Sequence, residues 1–282
     1  MWGRQRVTGS YPGMGSVLVV IPAYNEEESI RKVVEGVNHH IPAADVLVVD
    51  DGSSDGTSRR IRESDAELLR LPRNLGVGAA LEVALRYAEG MGYSYALRLD
   101  ADGQHDPLDA LRLLEAVRRG EADVLIGSRF LEAGSGERQA ARNPRLRYQT
   151  TPIRALGIKV FASLVSLLIG QHISDPTCGL RCFNRQAICY LARHHPQDYP
   201  EVESMVVLHR AGFRLKELPV AIYPRTGGVS SISTWKAVYY VFRVMLAASI
   251  AAVRSLPNGK PAAAGRRPME PEKIPEEEPH VA

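Results

Sequence analysis

The sequence has no marked excess of charge of either sign, almost no cysteine and no apolar run of membrane-spanning length. Its 35 Lys and Arg stand against 32 Asp and Glu, a formal net charge of +3. That margin argues against general nucleic-acid binding, which needs a strong basic field. Three cysteines, Cys178, Cys182 and Cys189, are odd in number, crowded into one region and without a CxxC pair. They read as reduced thiols in a cytosolic setting rather than as a zinc site. Residues 1–16 lack the continuous apolar run of a secretory signal, so export is not expected. The best membrane candidate, residues 237–253, is 17 residues long with Arg243 at its middle. A spanning helix needs about 20 apolar residues, and a central Arg costs about 2.5–3.5 kcal/mol. That stretch is therefore expected to be an interfacial or core helix. What is present is ordinary globular composition, 282 residues with 45% hydrophobic and 24% charged, enough for one large domain with an appendage.

Short aliphatic runs recur along the chain, each followed by a polar loop and then a helical pattern. Residues 17–21 fit a strand buried on both faces, with Pro22 ending it. Asn25 is placed to cap a helix with Glu26, Glu27 and Glu28 in its first turn and Ile30, Val33, Val34 and Val37 as its apolar stripe. Strands are expected at 46–49, 68–71, 96–99 and 123–127, and helices at 79–89 and 108–118. The alternation implies an α/β fold with a parallel or mostly parallel sheet, in which ligands gather at the carboxyl ends of the strands.

The stretch from Leu97 to Pro107 carries the sharpest chemistry. Asp100 and Asp102 stand two residues apart at a strand end, so both carboxylates project toward the same side. With an oxygen of Gln104 they form a hard donor set suited to Mg²⁺ or Mn²⁺. Taken alone, Asp-x-Asp-Gly is better explained as a polar turn. The loops 22–26, 50–57 and 100–106 all follow strands directly, however, and should lie side by side at one edge of the sheet. That common placement favours a site.

The character changes after Arg129. Residues 129–160 hold Arg129, Arg138, Arg142, Arg145, Arg147, Arg154 and Lys159 against Glu132 and Glu137, which reads as a mobile basic loop. Residues 156–169 follow at helical spacing, as a core helix or one lying on a membrane surface. Residues 174–183 are rich in turn formers and contain Asp175 and Arg181; residues 215–222 read as an edge strand with Pro219 on its free side. The boundaries implied are a flexible N-terminus (1–16), a catalytic domain (17–233) containing a basic loop and helix (129–170), an amphipathic helix (234–254) and a disordered tail (255–282) with six prolines.

Val20-Ile21-Pro22-Ala23-Tyr24-Asn25-Glu26-Glu27, Val48 through Thr57, Asn74-Leu75-Gly76 and Asp100-Ala101-Asp102-Gly103-Gln104 together resemble the family 2 glycosyltransferases of the GT-A fold. Ser174-Asp175-Pro176-Thr177-Cys178-Gly179-Leu180-Arg181 narrows the resemblance to the dolichyl- and polyprenyl-phosphate sugar transferases, over roughly residues 17–250. The resemblance implies nucleotide-sugar contacts from Pro22, Ala23, Tyr24, Glu26, Asp50 or Asp51, Asp100, Ala101, Asp102 and Arg225. It implies metal ligands Asp100, Asp102 and Gln104, and an acceptor phosphate held by Arg129 and Arg154. Much of the family carries a lysine where this sequence has Ser231, which leaves the phosphate grip of that loop to Arg225.

These implications define an enzyme moving a hexose, mannose or glucose, from a GDP- or UDP-linked donor to a polyprenyl phosphate. Asp175 is the leading candidate for orienting the acceptor or acting as base, with Glu203 behind it. The expected location is peripheral to the cytoplasmic face of the membrane, with a membrane-protein partner or a homo-oligomer as further associations. The competing readings are a saccharide or small-molecule acceptor in cell-envelope synthesis, a nucleotidyltransferase on the same fold, and a non-catalytic membrane-peripheral scaffold.

Overall fold

The computed structural model describes residues 15–131, 152–196 and 200–224. The basic loop beyond 131, Arg225, the 237–253 stretch and the Pro/Glu-rich tail lie outside them.

Aliphatic residues with low exposure build the left half of the sheet. Strands β1 (Val17–Ala23), β2 (Asp45–Asp50), β3 (Glu67–Arg70) and β4 (Tyr95–Arg98) alternate with helices α1 (Ile30–His40), α2 (Thr57–Arg62) and α3 (Val77–Met91). Helix α4 (Pro107–Arg118) leads to β5 (Val124–Ser128), and α5 (Pro152–Ile169) to β6 (Arg181–Asn184). Helices α6 (Arg185–His194) and α7 (Pro200–Arg210) precede β7 (Leu215–Pro219). The strands form one seven-stranded sheet in the order β3-β2-β1-β4-β6-β5-β7. All pairs are parallel except those of β6, which runs antiparallel to both β4 and β5. Val19, Ile21, Leu47, Val48, Val49 and Leu97 are fully buried, as strands covered by helices on both faces must be.

Several local expectations are corrected. Strand β1 runs through Pro22, which lies opposite Val49, instead of stopping there. Val20 and the other even-numbered residues of β1 turn their backbone polar groups toward β4, and that pairing ends where Leu99 N–H donates to Val20 O at 3.1 Å. The donor that Pro22 lacks therefore faces a place where no partner strand remains. Helix α1 begins at Ile30, not after Asn25, and Ser29 occupies its cap position. Asn25 has a left-handed φ of 55° and spends its amide oxygen on Ser54 N–H at 2.9 Å, across to the next loop. Glu27 likewise turns away from α1, accepting from Gly56 N–H at 2.9 Å and Arg59 at 3.0 Å. Strand β6 falls within the stretch expected to be turn. Pro107 opens α4 behind the Asp106 cap, which accepts from Leu108 N–H at 2.9 Å. The expected edge strand is present but shorter. Arg214 O accepts from Val124 N–H and Val220 N–H donates to Ser128 O, so odd-numbered Pro219 faces away from β5 on the free side.

Helix α5 packs Ile158, Phe161, Val165 and Ile169 into the core while Leu167 is 79% exposed and Val160 44%. No helix among the described residues is long and apolar enough to cross a membrane.

Candidate active site

The three loops expected at one edge do share it, because β2, β1 and β4 are adjacent and parallel. Hydrogen bonds knit the first two together: Ser53 Oγ accepts from Asn25 N–H at 3.0 Å, and Thr57 Oγ1 from Glu26 N–H at 2.8 Å.

The acidic corner lies just past β4. The Arg98 side chain is only 6% exposed, and a buried cation needs partners. It finds two, donating to Asp100 Oδ1 at 3.2 Å and to Glu201 Oε1 at 2.8 Å in the first turn of α7. The other oxygen of Asp100 faces His105 Nε2 at 3.2 Å. Burial by itself would raise the Asp100 pKa, but the Arg98 charge and the bonds from His105 and Arg98 outweigh it and hold the carboxyl well below its ordinary range. Glu201 is lowered likewise, burial being outweighed by the charges of Arg98 and Arg181. Gly179 presses its backbone onto the Asp100 carboxylate, and a Cβ there would overlap it. Asp102 is buried, and its Oδ1 accepts from Gln104 N–H at 3.0 Å. Gln104 clamps Tyr223 on both sides: its Nε2 donates to Tyr223 O at 3.0 Å, and its own carbonyl accepts from Tyr223 N–H at 2.9 Å.

Asp100 and Asp102 offer oxygen donors only, and Asp100 is ionised. Among the described residues no group of three or more His, Cys, Asp or Glu side chains is placed to enclose a metal. Two carboxylates of this kind would serve a hard cation such as Mg²⁺ or Mn²⁺ only with water and phosphate supplying the remaining ligands.

On the other side of β1, Tyr24 is 46% exposed while Ala23 and Ala101 are buried and Pro22 is half-buried. Glu26 holds Ser29 Oγ at 2.7 Å. Asp50 is fully buried and accepts from Ser53 N–H at 2.8 Å and from the Ser58 hydroxyl, with Arg70 at 3.8 Å. Asp51, 4% exposed, accepts from Leu75 N–H at 2.7 Å and Gly76 N–H at 2.8 Å. Both carboxylates brace loops, and Gly52 directly after them, at φ 72°, lets the 73–74 backbone lie where a Cβ would sit.

The third corner is an ion pair. Arg129 donates through Nε and Nη2 to the two oxygens of Asp175 at 2.6 and 2.7 Å, its backbone N–H adds a bond at 3.1 Å, and Nη2 reaches Thr177 Oγ1 at 2.6 Å. Asp175 is fully buried. The bidentate fork fixes the guanidinium plane. Behind it Glu217 of β7 accepts from Ser174 N–H and Asp175 N–H, both at 2.8 Å, and from Ser174 Oγ at 2.9 Å. Arg181 does not pair with Asp175. It is buried and donates to Cys178 O, Glu201 O, Ser204 Oγ and Pro176 O, tying the 176–178 segment to α7.

The structure thus brings together Asp100, Ala101, Asp102 and Gln104 in one loop, and Arg129 with Asp175 in one pair. The side chains of Arg154 and Arg225 lie outside the described residues. Arg98, Glu201 and Glu217 escaped sequence reasoning, since partners 103 and 42 residues apart leave no local pattern. The one available signal was Arg98 inside an otherwise apolar strand.

Fold and loop placement define a GT-A architecture. The solved structure of glucosyl-3-phosphoglycerate synthase from Mycobacterium tuberculosis superposes with a TM-score of 0.62 over 85% of this chain and 80% of that one, at 16% identity. Residues 18–190 match the family model described as glycosyl transferase family 2. Polyprenol monophosphomannose synthase of Mycolicibacterium smegmatis is 33% identical over 226 residues, covering 77% of this chain and 80% of that protein. Undecaprenyl-phosphate mannosyltransferase of Micrococcus luteus is 31% identical over 226 residues, 77% of this chain and 87% of that protein. The chain belongs to glycosyl transferase family 2 and is a glycosyltransferase, as its motifs implied.

Proposed function

We propose that the protein transfers a hexose, mannose or glucose, from a GDP- or UDP-linked donor to a dolichyl- or undecaprenyl-type polyprenyl phosphate, with inversion, at the cytoplasmic surface of a membrane. One observation carries this reading: the 175–179 segment joins the two ends of the site. Asp175 holds the Arg129 fork at its start, and Gly179 lies against Asp100 at its end. A fixed guanidinium suits a phosphate acceptor, and the names of the relatives from M. smegmatis and M. luteus agree with a polyprenyl substrate.

Asp100 and Asp102, with the amide oxygen of Gln104, would hold Mg²⁺ or Mn²⁺; the M. tuberculosis fold neighbour was crystallised with Mn²⁺ and UDP. Bound there, the ion would act as a Lewis acid neutralising charge on the departing nucleoside diphosphate. Arg225 would add positive charge to the same diphosphate. Pro22, Ala23, Tyr24 and Glu26 would line the nucleotide, with Asp51 meeting the base and fully buried Asp50 shaping the loop. Arg129, together with Arg154, would grip the acceptor phosphate. That phosphate has a second pKa near 6 and is mostly dianionic at pH 7, so it attacks without a strong base. Asp175, with both oxygens on Arg129, then orients the guanidinium. Attack from the side opposite the leaving group inverts the anomeric centre. The exposed Leu167 and Val160 of α5 suit contact with lipid.

The test incubates pure protein and Mn²⁺ with a panel of GDP- and UDP-sugars and undecaprenyl phosphate, followed by mass analysis and NMR of the product anomer. A glycosylated lipid phosphate of inverted configuration is expected. No product with any donor, or a retained configuration, overturns the proposal.

A further inference from the structure

Behind the acidic corner lies a small, partly enclosed cavity of about 20 Å³. Val20, Leu81, Ala96 and Phe183 make most of its wall apolar, but Arg98 and His195 also line it. Each brings a buried nitrogen with no hydrogen-bond partner: Arg98 Nε and His195 Nδ1. An unsatisfied buried donor costs about 1–3 kcal/mol, and native interiors resolve such atoms with ordered water. About 10–15 Å³ of such volume is enough for one water, given two or more polar partners. The cavity meets both conditions, with Ser204 on its wall as a third polar neighbour. The chemistry is complementary. Guanidinium Nε–H can only donate. Burial, with the nearby Arg98 charge, pushes the His195 pKa down to about 4, so the imidazole is neutral at pH 7, and in the tautomer with its proton on Nε2 the Nδ1 lone pair can accept.

We infer that a single buried water bridges Arg98 Nε–H to His195 Nδ1, and that His195 thereby acts as a positioning residue for the Asp100 carboxylate. Arg98 has one end on Asp100 and Glu201. Fixing its Nε fixes the rotation of the guanidinium about the Cδ–Nε bond, and so the direction from which Nη2 meets Asp100. His195 stands at the end of α6, so the water couples that helix to the acidic loop. The metal-binding part of this inference rests on the proposed role of Asp100; the water bridge itself does not.

The experiment has two arms. A crystal structure of the wild-type protein at better than about 2 Å, a resolution at which buried waters are located routinely, is expected to show one water within hydrogen-bond reach of both nitrogens. An empty cavity, or a water bonded to only one of them, overturns the inference. In the second arm Mn²⁺ binding in the presence of nucleoside diphosphate is followed by electron paramagnetic resonance. His195→Leu is expected to weaken it about tenfold, the lower end for loss of an outer-sphere partner. His195→Gln, which keeps an acceptor, should stay within about threefold of wild type on that scale. Equal affinity in wild type and His195→Leu removes the positioning role. Should wild type bind no Mn²⁺, the cation reading of Asp100 fails and the positioning role for metal falls with it; the density arm still decides the bridge. Should His195→Leu not fold, the comparison of wild type with His195→Gln and the density of the cavity decide.

Discussion

Asp100 is held from three directions, by Arg98, by His105 and by the bare backbone of Gly179, which makes the smallest substitutions around it informative. Gly179→Ala places a methyl group where the carboxylate lies, so the carboxylate must rotate away. Mn²⁺ affinity is expected to fall at least tenfold while the far-ultraviolet circular dichroism stays unchanged, on the scale of disrupting a ligand's support. Asp102→Asn keeps the acceptor oxygen for Gln104 N–H but removes a charge from the site. Its kcat should drop about a hundredfold or more, given that Lewis-acid stabilisation is worth several kcal/mol and about 1.4 kcal/mol is tenfold. At this scale the sequence told where the acids are, because two carboxylates at the end of an aliphatic run have a local signature. It could not tell what holds them: Arg98 meets Glu201 only after the chain has crossed the sheet and returned through α5 and α6.

Glu217 on β7 shows how one element positions a residue of another through the backbone between them. It accepts from both backbone N–H groups of Ser174 and Asp175 and so anchors the carboxylate that holds Arg129. Glu217→Gln sets an amide NH₂ against one of those N–H groups. The KM for polyprenyl phosphate is expected to rise about tenfold with the donor KM little changed, consistent with a charge-assisted bond worth about 1.5–3 kcal/mol. A parallel rise in both constants would place Glu217 in general stability instead. The elements themselves were mostly legible, since hydrophobic runs of strand length separated by loops survive almost any tertiary context. The misses have physical causes. Pro22 sits in a strand because its neighbour has already ended. Asn25 forgoes its capping role because Ser54 N–H competes for its side chain. Arg181-Cys182-Phe183-Asn184 becomes a strand through the two ladders waiting on either side, not through its own propensity.

For the molecule as a whole, His195 gives acid sensitivity a defined sign. Its pKa is about 4 when folded and near 6.5 when exposed, so between those values the unfolded chain holds more protons. The contribution of the half-buried neutral ring is complete above about pH 6.5 and is lost as pH falls toward about 4. Urea unfolding across that window should show a wild-type stability that falls more steeply with acid than that of His195→Gln, by up to about one proton of linkage. Equal slopes would mean that the ring is protonated in the folded state as well.

Strand β6 sets the order in which this enzyme can assemble during synthesis. β4 is complete once residue 98 has left the ribosome and β5 once residue 128 has, yet the slot between them stays empty until residue 184 arrives to fill it. The β3-β2-β1-β4 half of the sheet has its partners early. The other half stays open, with a raw edge on β4 exposed to aggregation or to a chaperone in the interval. At the chain's rate of about 5–20 residues per second, that interval lasts several seconds, and only at its close does Gly179 come to rest on Asp100.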